Sequence, residues 1–229
     1  MAISCPDEKP LLNWVSRKAC EFVTEKCARY PSLKLQPNMS LKSGKSICDY
    51  YINKSGKHYK KYTDVCEHSD EENNWCQYGR LIAEVWKKGQ IHTFIVSDWS
   101  LFNDQCGNHT AVSYISVNSS TGKEIKCKDL IRRSDEKKVS DLLLKYVRNQ
   151  EEGWIEVGAE ELIGVYDGKT DSIGVKLFNE MSGCGLLKEG LIIYYHPYTI
   201  GYGCNGEFFA IIPYNVLKEN GIRLKKFDI

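Results

Sequence analysis

No stretch of this chain approaches the roughly 18 consecutive apolar residues of a membrane-spanning helix. It also lacks an excess of either charge: 31 Lys and Arg against 30 Asp and Glu leave a net charge of +1. A dedicated nucleic-acid binder needs a basic surplus to meet phosphates, so that class is set aside. No two cysteines stand at C-x-x-C or C-x₄-C spacing, and no H-x₃-H pair occurs. This argues against zinc ribbons, thioredoxin-like motifs and helical His pairs that hold a catalytic metal. Internal repeats, low-complexity stretches and Pro-rich linkers are missing too. Met1–Cys5 has none of the apolar character of a secretory leader, so an exported form is expected to have lost one.

What is there is an ordinary globular composition over 229 residues, 42% hydrophobic and 27% charged, which excludes wholesale disorder. The one unusual count is ten cysteines spread over the whole length. An even, dispersed set suits disulfides in an oxidising compartment. The alternatives are buried thiols packing as small hydrophobes, or a dispersed metal site. One pairing is excluded. Val15, Ala19, Phe22, Val23 and Tyr30 follow helical spacing, and Pro31 stops the pattern. On that helix Cys20 and Cys27 lie two turns apart, about 10 Å along the axis, beyond disulfide reach. Sequons at Asn38, Asn53, Asn108 and Asn118 matter only in a eukaryotic secretory pathway.

Periodicity predicts one amphipathic helix over residues 10–30, then a polar, Cys-containing stretch to residue 77. Beyond it, residues 80–86 and 91–99 read as a β-hairpin turning at Lys87–Gln90. Residues 111–118 and 124–127 read as a second strand pair. Val139, Leu142, Leu143, Tyr146 and Val147 mark a helix over 135–150 with Ser134 as its N-cap. Strands are expected over 172–179, 191–195 and 207–213, and a short helix over 214–220 ending at Gly221. Runs of strands around one or two helices predict an α+β fold with a mostly antiparallel sheet. The expected division is a helical and Cys-rich region, 1–77, followed by a domain over 78–229.

Two stretches carry a resemblance. The first is Gly107-Asn108-His109, a strand over 111–118, Thr121-Gly122-Lys123 and Cys127-Lys128-Asp129-Leu130-Ile131. The second runs Gly190-Leu191-Ile192-Ile193-Tyr194-Tyr195-His196-Pro197-Tyr198, then Gly206 and Ile211-Ile212-Pro213-Tyr214. Together, over residues 78–222, they resemble the extracytoplasmic C-terminal domain of RsiV-type anti-sigma factors, also found in PdaC-type deacetylases. The departures from that pattern place cysteines in two small-residue loops, at Cys106 and Cys204. The resemblance therefore implies a Cys106–Cys204 disulfide joining the loops. Cys127 replaces an apolar strand residue of the pattern and reads as a core thiol.

The resemblance implies an exported bacterial domain, in the periplasm or at the cell surface, that binds or senses rather than catalyses. Its expected partners are a lysozyme-like muramidase or peptidoglycan, with no cofactor and no metal. The runner-up is an enzyme on cell-wall carbohydrate, and a third class is a structural surface protein. The expected binding residues are Asn108, His109, Tyr195, Tyr198 and Tyr202. Glycine-flanked tyrosines on loops bury large area at low entropic cost. Alternation along 191–195 places one of its two tyrosines outward. His109 reads equally as a loop histidine holding its turn. His196 lies outside the family pattern and reads as incidental or structural. A Cys106/His109 nucleophile pair and a zinc site on His109, His196 and Cys or Asp104 are weaker readings. Trp75, Trp86, Trp99 and Trp154 read as core or rim residues.

Overall fold

The computed structural model describes residues 2–3, 8–29, 76–102, 109–149, 155–156, 177–197, 199–200 and 207–225. Helix α1 spans Lys9–Arg29, preceded by a two-residue strand β1, Ala2–Ile3. The predicted hairpin is formed by β2 (Cys76–Lys88) and β3 (Ile91–Phe102). Its turn is shorter than expected, Gly89-Gln90 alone, because Gly89 adopts φ 57°. Strand β4 (His109–Asn118) pairs antiparallel with β3, and β5 (Lys123–Glu124) pairs with β4. These strands form one sheet in the order β1-β2-β3-β4-β5.

The second sheet has the order β7-β6-β10-β9-β8. Its strands are β6 (Val147–Asn149), β7 (Ile155–Glu156), β8 (Gly183–Leu186), β9 (Gly190–Tyr195) and β10 (Phe208–Pro213). The described residues also include helices α2 (Cys127–Leu130), α3 (Glu136–Tyr146) and α4 (Tyr214–Glu219). The α+β class expected from the pattern is the class observed. No helix among the described residues is long and apolar enough to cross a membrane.

Apolar stripes explain the layering. Leu11, Trp14 and Val15 of α1 bury against Ile82, Phe94, Val96 and Val117 of the first sheet, with Trp14 and Phe94 rings 4.9 Å apart. Trp14 donates its indole N–H to Glu124 at 3.0 Å, tying the helix to β5. The boundary expected at residue 77 falls inside β2, and α1 on its N-terminal side shares a core with the sheet beyond it. On the second sheet, Val139, Leu142 and Leu143 of α3 pack with Ile193, Tyr195, Phe208 and Ile212. The sheets meet where Val112 of β4 packs with Ile192, Tyr194 and Phe209. Strand β9 is thus buried on both faces, which is why Leu191–Tyr195 reads as an unbroken apolar run.

Four expectations need correction. Cys127 opens α2 instead of sitting in a strand, and it is disulfide-bonded to Cys184, with Cα atoms 5.6 Å apart. The helix predicted over 135–150 stops at Tyr146, because Val147–Asn149 extends to pair with β10. Its N-cap is Asp135, while Ser134 lies in the 3₁₀ turn Arg133–Asp135. Residues 177–179, expected in a strand, are helical.

Candidate functional site

Pairing register brings the two signature stretches to one place. Strand β4 opens at His109, opposite Ser100 of β3. Strand β9 ends at Tyr195, directly opposite Phe208 where β10 begins. The residues just outside those two ends, His196 and Glu207, both reach back to consecutive positions of β4. His196 Nε2 is 3.0 Å from Ser113 Oγ. Val112 donates its backbone N–H to a Glu207 carboxylate oxygen. Both roots of the segment 197–206 are therefore fastened within four residues of His109.

The groups at this junction are unevenly solvated. Glu207 is only 5% exposed, and burial pushes its carboxyl up to about 7, partly opposed by the Val112 N–H. Burial, helped by the Glu207 charge, pushes Tyr114 up. Burial pushes His196 down, against the pull of Asp98. The His196 ring lies 5.6 Å from that of Tyr194, and its backbone N–H donates to Ser182 Oγ at 2.9 Å. Burial raises the Tyr194 phenol, partly opposed by a hydrogen bond from Ser113. Asp98 is gripped by Arg80 through two bonds of 2.5 Å. Arg80 further donates to the Lys18 carbonyl at 2.7 Å and lies 4.8 Å over the Phe22 ring, locking α1 to β2.

Of the expected binding residues, Tyr195 is overturned. It is fully buried, and its hydroxyl donates to the Leu177 carbonyl at 2.9 Å. Both faces of β9 are covered, so alternation leaves neither tyrosine outward. Tyr195→Phe is expected to cost about 1 kcal/mol of unfolding free energy, because the Leu177 carbonyl loses its donor. Denaturant titration measures this. His109 opens β4, its side chain lying outside the described residues, as do Asn108, Tyr198, Tyr202, Cys106 and Cys204. His196, read from sequence as incidental, is bonded into the junction. Ser113 and Glu207 escaped sequence reading. Each looks like an ordinary polar residue in or beside a strand until its partner, more than 80 positions away, is known.

A groove of about 620 Å³ lies elsewhere, between Gln90, Asn118, Thr121 and Asp129. Its Glu124 is committed to structure. Burial opposes its charge, but bonds from Lys126, Lys18 and Trp14 outweigh this and hold the carboxyl down to about 2. Among the described residues, no group of three or more His, Cys, Asp or Glu side chains is arranged to hold a metal.

No protein-family model matches the chain, and no curated protein does. Solved structures that resemble it include two DUF3298-family proteins. One is a DUF3298-family protein of Bacteroides fragilis, 13% identical, TM-score 0.48, matched over 94% of this chain and 73% of its own. The other is a DUF3298-family protein of Pseudomonas aeruginosa, 13% identical, TM-score 0.48, matched over 96% and 81%.

Proposed function

We propose that this chain is an exported bacterial binding or sensing domain. Its ligand is an extracytoplasmic partner, a lysozyme-like muramidase or cell-wall glycan, met at the β4/β9/β10 end of the fold. One observation carries the reading: His196 and Glu207 tether both roots of segment 197–206 to Val112 and Ser113, beside the start of β4 at His109. A rigid scaffold that fixes the ends of a connecting segment is how folds present recognition residues. Tyr198 and Tyr202 lie on that segment and supply the interface. The Cys127–Cys184 bond supports an oxidising compartment.

The test is retention on immobilised lysozyme and on insoluble peptidoglycan. The wild-type chain is expected to be held by one of them. Tyr198→Ala with Tyr202→Ala should weaken retention by tenfold or more, as for aromatic hot spots. Retention on neither surface sinks the proposal.

A further inference from the structure

The junction holds more polar chemistry than a tether requires. Ser113 Oγ sits 3.0 Å from His196 Nε2, and the same hydroxyl also serves the Tyr194 phenol oxygen. Ser113 and His196 are both half-buried and not sealed in the core. The His196 backbone N–H is held by Ser182, and its ring rests against Tyr194, which fixes the imidazole's direction. Glycine at 183 is what admits the phenol: a Cβ there would stand 2.6 Å from Tyr194 Cζ. Tyr194 itself is 6% exposed and packed on Val112 and Phe209, so its hydroxyl is pre-positioned.

These are the central parts of an acyl-transfer centre: a hydroxyl and a base in hydrogen-bond reach of it. We infer that Ser113 is a nucleophile toward neutral carboxylic esters, with His196 as its general base. This does not rest on the ligand-binding reading above. A neutral ester suits the site because Arg80, the cation on the neighbouring Asp98, is spent on that carboxylate. In the first step the Ser113 Oγ–carbon bond forms as the Ser113 proton passes to His196 Nε2. The carbon–oxygen bond to the leaving alcohol then breaks, and the alcohol takes that proton from His196. Water attacks the acyl-serine by the same route, releasing the acid and restoring Ser113. Burial favours the uncharged imidazole that this role needs.

The experiment uses the full oxidised chain with a fluorophosphonate and with p-nitrophenyl acetate. The expected result is one phosphonate per chain, mapped to Ser113 by peptide mass spectrometry, and a p-nitrophenol burst of about one equivalent. Ser113→Ala should abolish both. His196→Gln should slow labelling by about 100-fold or more and flatten its pH profile. A merely structural histidine would leave labelling per folded molecule unchanged. Wild-type chain that takes no phosphonate at Ser113 overturns the inference, and that measurement needs no variant to fold. Equal labelling of folded His196→Gln removes His196 from the role and overturns it as well.

Discussion

Replacing both Cys127 and Cys184 with alanine is expected to lower the free energy of unfolding by about 4 kcal/mol. The bond closes a loop with a sequence separation of 57 residues. Loop-closure entropy for that length lies between about 3 kcal/mol for a short loop and nearly 5 for a hundred-residue one. The bond's place in the fold adds to its importance. Cys127 opens α2, just after the first sheet's last strand, whereas Cys184 is in β8 at the edge of the second sheet. Leu130 of α2 and Leu186 of β8 belong to one buried cluster. The cross-link therefore staples the two sheets beside their shared core. Alanine is the right replacement because Cys184 is buried, where a serine hydroxyl would add a desolvation cost. Denaturant titration of the oxidised wild type against the double variant measures the loss. A difference below 1 kcal/mol, or both thiols alkylated without reductant, contradicts the assignment.

Glu207→Gln should stabilise the protein at pH 8 by about 2 kcal/mol and leave it unchanged near pH 4. Burial raises the native carboxyl from its ordinary value of 4.5 to about 7. The folded chain then keeps a proton that the unfolded chain gives up. Stability from this group is complete below about pH 4.5, falls as pH rises, and is gone above about pH 7. The shift alone corresponds to roughly 3 kcal/mol, and residual solvent access at the carboxylate reduces it. Glutamine cannot ionise, and its side-chain oxygen can still accept from Val112. His196 works in the opposite sense. Burial lowers it, so the unfolded chain binds the extra proton and stability rises through the ordinary histidine range. The informative quantity is therefore variant minus wild type at each pH. A difference that does not change between pH 4 and pH 8 would remove Glu207 from the titration.

Much of the fold is legible in local pattern. The apolar stripe of α1, the β-branched runs of β2 and β3 around a Gly turn, and the stop at Gly221 each depend on residues within a few turns of one another. Strand β8 is not legible. Gly183-Cys184-Gly185-Leu186 has weak strand propensity, and its glycines are required only by what faces them. At Gly185 a Cβ would stand 2.8 Å from the Tyr114 carbonyl, a constraint invisible without strand β4 of the facing sheet. The same limit applies to the end of α3. Val147 continues the helical stripe, but β10 offers it a ladder instead.

What the sequence determined by itself is the set of elements: the amphipathic helices, the hairpins, the α+β class, and the two signature stretches as separate features. Helical and strand periods are properties of neighbouring residues, so one dimension is enough to carry them. Tertiary structure alone decided which elements touch. It paired Cys127 with Cys184, buried Tyr195 on a strand covered from both sides, and set His196 and Glu207 against β4. Those contacts join residues tens of positions apart, and their energies come from burial and from partners that only packing supplies. The contacts that place the candidate site, His196 to Ser113 and Glu207 to Val112, are of this kind.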